Sequence, residues 1–288
     1  MNQLKLFIDL TRLQKPIGFM LLFWPCAWGL TLAYDFSFSL NNYFFYLILF
    51  FLGSVLMRSA GCIVNDILDR EFDAKVYRTK NRPIASGKIS IPLAIIYAVL
   101  LCFMALLVLI NFNFFTIILA LVSMPLAFTY PLMKRFTYWP QLFLGVTFNY
   151  GLILGWTAIR GELDIIPIIF YIGAIFWTLG YDTIYGYQDI KDDEIIGLKS
   201  TSIKFKSNPK KFLFLSYSSF FILFLIGGTF MEFNYFYYLL SIIPLFHLFF
   251  FQIKIFNLKD PSSCLKAFKS NNLFGLIILL NILIVKNL

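Results

Sequence analysis

Nine of the fifteen acidic residues in this 288-residue chain fall in two short segments. The first reads Asn65-Asp66-Ile67-Leu68-Asp69-Arg70-Glu71-Phe72-Asp73. The second opens with Tyr181-Asp182-Thr183-Ile184-Tyr185 and runs through Gln188-Asp189-Ile190-Lys191-Asp192-Asp193-Glu194. Asp66, Asp69 and Asp73 stand at i, i+3 and i+7, so on a helix they share one face. Asp182, Asp189 and Asp193, at i, i+7 and i+11, do the same. Converging carboxylates repel unless something neutralises them. Mg²⁺ does so through one or two carboxylates together with substrate phosphates. The cationic loop residues Arg78, Lys80, Arg82 and Lys134 could grip the remaining phosphate oxygens. This chemistry calls for a diphosphate substrate. Glu71, Asp192 and Glu194 fall off the two faces and read as solvated helix caps. An ion pathway lined by Asp would explain the carboxylates, but not the Arg78-Thr79-Lys80-Asn81-Arg82-Pro83 loop.

The elements that position these residues are membrane helices. The chain is 60% hydrophobic and 14% charged, against roughly 25% charged in a soluble domain. Apolar runs cover Ile17–Ala33, Tyr43–Val64, Ile91–Ile110, Phe114–Leu132, Leu142–Ile159, Ile165–Tyr185, Phe212–Phe230, Tyr235–Phe256 and Leu273–Val285. They are too long, and too apolar on every side, for barrel strands. Of the 24 Lys and Arg residues, 21 fall in the N-terminal segment and in the loops after runs 2, 4, 6 and 8. Only Arg160 and Lys286 fall on the other side, and Arg58 lies inside the second run. This bias predicts an all-α membrane protein of nine transmembrane helices, with the N-terminus cytoplasmic and the C-terminus on the opposite side. The net charge of +9 is then a topology signal and calls for no nucleic acid. A single domain over residues 1–288 is expected, with cytoplasmic cap loops at about 70–91 and 186–211.

Other residues carry less chemistry. Cys26, Cys62, Cys102 and Cys264 form no CxxC pair and read as small packing residues. The single histidine, His247, lies in an apolar run and excludes a histidine-rich metal centre. Lys5, Arg12 and Lys15 precede the first run with no A-x-A cleavage site after it, so that run reads as a span. Arg58 sits two turns below Asn65 on nearly the same face, roughly 8–12 Å along a helix from the carboxylates. That is too deep for an ordinary snorkelling arginine. The chain after about Asn208 reads as scaffold.

These segments resemble a known family. Asn65–Asp73 is similar to the NDxxDxxxD motif of the UbiA-type intramembrane prenyltransferases, and Val76–Gly87 to the loop that follows it. The second Asp segment, with Gly197-Leu198-Lys199-Ser200-Thr201, resembles the family's second motif. Lys15-Pro16-Ile17-Gly18, Leu22-Phe23-Trp24-Pro25 and Met133–Gln141 resemble the branch that prenylates 4-hydroxybenzoate. The match runs from about Leu13 to Phe205. The resemblance implies nine helices and Mg²⁺-dependent transfer of a polyprenyl group from a polyprenyl diphosphate to the ring carbon ortho to the hydroxyl of 4-hydroxybenzoate, in ubiquinone biosynthesis. Asp66, Asp69, Asp73, Asp182, Asp189 and Asp193 would surround the metals. Asn65 would support the first motif and the acceptor, and Arg58 would pair with the acceptor carboxylate. Arg78, Lys80, Arg82, Tyr130 and Lys134 would bind diphosphate, and Tyr185 would shield the allylic cation. The partners implied are the two substrates and the lipid bilayer, with no obligate protein partner. The expected location is a bacterial inner membrane, with the active site facing the cytoplasm. The competing readings are prenylation of a naphthoate, homogentisate, haem or chlorophyll ring, and an Asp-lined transporter.

Overall fold

The structure, a computed structural model, describes residues 3–77 and 79–288, and among these there is no strand. A short helix, α1 (Gln3–Thr11), leads into α2 (Ile17–Ala33) and α3 (Leu40–Leu68). Then follow α4 (Ile91–Leu109), α5 (Phe114–Phe136), α6 (Pro140–Arg160), α7 (Ile165–Gly186), α8 (Pro209–Phe230), α9 (Tyr235–Ile255) and α10 (Pro261–Lys286). Each expected apolar run is helical, with ends moved by a few residues, except that the last helix begins at Pro261, well before the expected Leu273. The eight helices from α3 to α10 are long and apolar enough to cross a membrane, whereas α2 is shorter, at 17 residues.

Local chemistry sets several of the ends. Asn113 caps α5 by accepting from the Thr116 amide at 2.9 Å, and Asp164 caps α7. Pro140 and Pro209 stand at helix starts, where a missing N–H costs nothing. Gly161, with φ +70°, ends α6. Pro131 tightens α5 into a 3₁₀ turn over Tyr130–Leu132, after which Met133–Phe136 forms one further helical turn.

The bundle is organised around α2, which packs on α3, α6 and α10, while α6 continues the contact to α5 and α7. The α2–α6 pair meets backbone to backbone. A Cβ on Gly29 would strike the Leu152 carbonyl, and one on Gly155 would strike the Cys26 carbonyl and the Leu30 nitrogen. Gly151 and Gly155 are four apart, so both small positions lie on the contact face, as in small-xxx-small membrane pairs. Outward-facing Val99 and Val122 are 61% and 64% exposed, with many similar residues on α4, α5, α8 and α9. Only lipid accepts a surface of that kind.

Interior polar groups tie the helices together. Asn271 accepts from the Trp177 indole at 2.8 Å and from Gln252 at 2.9 Å, and Gln252 accepts from the Tyr217 hydroxyl at 2.7 Å. His247, buried as expected, meets Gln252 at 3.3 Å in a π-helical stretch of α9. All four cysteines are free, and three are buried. A smaller apolar cluster seats Leu6 and Leu10 of α1 against Ala60 and Ile63 of α3, with Ile84 and Ile89 from the following loop.

Gly155→Leu should cost about 1–3 kcal/mol or more from overpacking, read as a lower melting temperature in detergent. Gly53→Leu should leave that temperature unchanged, because a Cβ at Gly53 meets nothing within 4 Å.

Candidate active site

A cavity of about 1080 Å³ opens at one end of the bundle. All six expected aspartates line it: Asp66, Asp69, Asp73, Asp182, Asp189 and Asp193. So do Arg58, Asn65, Arg82, Tyr130, Lys134 and Tyr185. Lys80 does not. It is exposed, with its ammonium 4.6 Å from the Tyr77 ring centroid, because the turn that carries it points outward. Arg78 lies outside the described residues. Glu71, Asp192 and Glu194 are off the cavity, and Glu194 pairs with Lys206 at the surface.

The carboxylates arrive differently from the spacing argument. The α3 helix stops at Leu68. Asp69 leaves the helical region at φ −96°, ψ 5°, and a new turn covers Arg70–Asp73. The α7 helix stops at Gly186. Asp189 breaks in the same way, at φ −113°, ψ 7°, before a short helix over Ile190–Ile195. Neither trio therefore sits on one continuous helix face. Each break falls on a motif aspartate, and the chain turns so that the later carboxylates still line the cavity. The segment beyond α7 is stitched back onto α7 and α6. Ser202 donates to the Thr183 carbonyl at 2.8 Å, and the Thr201 amide donates to Gln141 at 3.0 Å.

Cations brought from other elements neutralise the first motif. One terminal nitrogen of Arg82 bridges Asp66 at 3.2 Å and Asp73 at 2.7 Å. Arg12 pairs with Asp66 from the end of α1. Lys134 pairs with Asp69 Oδ2, and Arg135 stands 3.6 Å from Asp69 Oδ1. Arg12 adopts φ +56°, a left-handed conformation that strains a residue with a Cβ. That turn ends α1 beside the Arg12–Asp66 ion pair. Burial works most strongly against the Arg12 charge, but Asp66, together with Cys62, Tyr185 and Tyr130, outweighs it and holds the guanidinium above its ordinary range.

Deeper in the cavity, the Arg58 guanidinium lies 5.4 Å from the Phe148 ring centroid, and its buried Nε has no hydrogen-bond acceptor. Gly18 makes room for it, since a Cβ there would sit 3.0 Å from that Nε. The inner end thus holds a cation against an aromatic wall, and the mouth holds aspartates laced with cations.

Among the described residues, no three His, Cys, Asp or Glu side chains converge closely enough to hold a metal ion, because the first-motif carboxylates turn toward Arg and Lys. The donor set still fits a hard divalent cation. It is made of carboxylate oxygens, with no histidine or thiolate required. The buried Asp69 Oδ1 has no hydrogen-bond partner, which leaves a lone pair for such an ion.

Two parts of the site escaped the sequence reading. Arg12 was counted only as a topology charge. The expected scaffold after Asn208 is corrected too, since Leu265, Phe268, Lys269 and Asn272 of α10 line the cavity. Phe268 packs on Tyr185 with ring centroids 4.4 Å apart, and Asn272 accepts from the Trp24 indole at 3.0 Å. The one available signal was the Asn271-Asn272 pair at the edge of an apolar stretch, where polar residues are costly.

Replacing Arg82 with Gln leaves Asp66 and Asp73 without their shared cation. We expect melting in detergent to fall by about 1–3 kcal/mol of stability, and millimolar Mg²⁺ to stabilise this variant more than the unaltered protein. Equal metal stabilisation of the two would contradict competition between Arg82 and a cation for these carboxylates.

Comparison with known proteins agrees with this geometry. A model of the UbiA prenyltransferase family matches residues 22–277. A relative from Bos taurus named 4-hydroxybenzoate polyprenyltransferase, mitochondrial, is 44% identical over 282 residues, covering 96% of this chain and 74% of the relative. The apo structure of a UbiA homologue from Aeropyrum pernix K1 superposes with a TM-score of 0.77 at 21% identity, covering 92% of this chain and 97% of that one. A UbiA homologue from Archaeoglobus fulgidus bound to GPP and Mg²⁺ superposes with a TM-score of 0.68 at 17% identity, covering 98% and 100%. These likenesses establish the fold. They also correct the expected location. Rat, human and Arabidopsis relatives carry the same mitochondrial name as the bovine one, which overturns the expected bacterial inner membrane.

Proposed function

The chain belongs to the UbiA prenyltransferase family, and from that premise we propose that it transfers a polyprenyl group from a polyprenyl diphosphate to the ring carbon ortho to the hydroxyl of 4-hydroxybenzoate, a step of ubiquinone biosynthesis. One observation carries the reading. Two carboxylate segments and their cations share a single cavity, with a lone guanidinium set deeper in it. The 44% identity to a relative with this named activity supports it.

Each group has a part in the reaction. Asp66, Asp69, Asp73, Asp182, Asp189 and Asp193 would hold Mg²⁺, which when bound neutralises the departing diphosphate. Arg82 and Lys134, already at the mouth, exchange carboxylate partners for diphosphate oxygens. Arg12, beside Asp66, adds a third cation to that rim. Arg58 meets the acceptor carboxylate, which turns the electron-rich carbon beside the phenol toward the mouth, and Asn65 supports that pose. Tyr130, Tyr185 and Phe268 present aromatic faces to the allylic cation. Leu21, Leu144, Phe148 and Leu265 exclude water that would otherwise capture it. The C–O bond to diphosphate breaks first, the ring carbon then forms the new C–C bond to the allylic cation, and the ring loses its proton.

The whole chain acts as a single domain, residues 1–288, with caps at about 70–91 and 186–211. The mouth lies on the side that carries 21 of the 24 cationic residues. No observation favours a transporter or another acceptor ring.

Purified protein given 4-hydroxybenzoate, a long-chain prenyl diphosphate and Mg²⁺ should release the prenylated acid. Absence of that product, with turnover of a different acceptor, would refute the assignment. Asp66→Ala and Asp189→Ala should each lower kcat by about 100-fold or more; a near-normal rate in either would exclude the metal role. Arg58→Ala should raise the acceptor KM by roughly tenfold, the equivalent of one charge-assisted contact of about 1.5–3 kcal/mol. An unchanged acceptor KM would disprove the carboxylate pairing.

A further inference from the structure

Lys134 and Arg135 are adjacent cations, but only Lys134 lines the cavity. Arg135 sits behind Asp69. One terminal nitrogen of its guanidinium donates to the Leu68 carbonyl at 2.6 Å, closing the frayed end of α3 where the helix stops. The same nitrogen stands 3.6 Å from Asp69 Oδ1, the buried oxygen that lacks a hydrogen bond. The guanidinium plane rests 5.1 Å from the Phe72 ring centroid, on the next turn of the motif. A single side chain therefore touches the residue before the break, the residue at the break and the turn after it.

The turn that carries Arg135, Met133–Phe136, also receives the second cap segment. The Lys199 amide donates to the Lys134 carbonyl at 2.8 Å, and the Lys199 ammonium donates to the Phe136 carbonyl at 3.2 Å. Lys199 follows the second aspartate segment by a few residues. Both carboxylate segments are thus pinned to one helical turn of α5, which itself belongs to neither.

We propose that Arg135 is a positioning residue: it holds Asp69 and the break after Leu68 in place, and through the Met133–Phe136 turn it sets the spacing between the two aspartate segments. This rests on the prenyltransferase reading above for what the aspartates do. It differs from that reading in assigning Arg135 no contact with either substrate. The chemistry suits arginine. Its planar fork can cap a carbonyl, face a carboxylate and stack on a ring at once, whereas the point charge of lysine cannot. Asp69 keeps Oδ1 available because Arg135 attracts it from 3.6 Å without hydrogen-bonding it.

The test compares Arg135→Gln and Arg135→Lys with the unaltered full-length protein in detergent. Hydrogen exchange, measured without metal or substrate, should quicken at the amides of residues 69–76 in both variants. The magnesium concentration for half-maximal turnover should rise at least fivefold in Arg135→Gln and less in Arg135→Lys, while the acceptor KM stays within twofold. Unchanged exchange over 69–76 would overturn the proposal. So would a raised acceptor KM at unaltered magnesium half-saturation, which would mean that Arg135 touches substrate. Arg135→Lys keeps the charge and preserves the comparison should Arg135→Gln fail to fold. Magnesium-independent turnover by the unaltered protein would instead count against the prenyltransferase reading, leaving the exchange result to judge Arg135.

Discussion

Six carboxylates gathered at one end of a membrane bundle must be neutralised. A single ionised carboxylate moved out of water without a partner costs several kcal/mol even after relaxation. Asp66 is 2% exposed and lies between Arg12 and Arg82. Asp69 is equally buried, between Lys134 and Arg135. Those four cations come from the end of α1, the loop after α3 and the last turn of α5. The arrangement of these connecting segments is in large part a consequence of where the carboxylates lie. Even the left-handed turn at Arg12 sits where the chain must bring a guanidinium to Asp66.

The same pairing gives the cavity its chemistry. Cations that neutralise aspartates in the ligand-free chain are the groups best placed to receive diphosphate once a divalent ion takes over the carboxylates. On the proposed reading, the site would exchange one set of opposite-charge contacts for another. Arg58 stands apart from this exchange. It is deep, has no hydrogen-bond acceptor at Nε and is set against Phe148, which leaves it room to meet an anionic ligand. On the same reading, that separation would let one cavity sort a diphosphate from a carboxylate.

The membrane-embedded part of the bundle supplies rigidity. Lipid offers no hydrophobic force to press one helix on another, so close backbone approach and interior hydrogen bonds do the work. Glycines at 29, 151 and 155 bring α2 against α6. The Trp177, Asn271, Gln252 and Tyr217 chain ties α7, α8, α9 and α10 together behind the cavity wall. Phe268 and Asn272, on that wall, are held by helices far from them in sequence.

Much of this was legible in the residues. Hydropathy marked each membrane helix, because lipid forces backbone hydrogen bonds to close within one segment and so demands long apolar runs. The two aspartate segments and Arg58 announced themselves because ionised groups in such surroundings are costly. Three matters were decided only by tertiary structure. The break at Asp69 carries no Gly or Pro, and the one before Asp189 has the single Gly186, so spacing alone implied continuous helices. Arg12 looked like one topology charge among many until α1 folded onto α3. The cavity wall formed by α10 depends on packing between segments some 250 positions apart, such as Trp24 against Asn272. Periodicity and hydropathy act over a turn or a membrane thickness and are written in neighbouring residues. Which cation meets which carboxylate, and which helix closes the cavity, depend on contacts between distant segments that arise only when the bundle assembles.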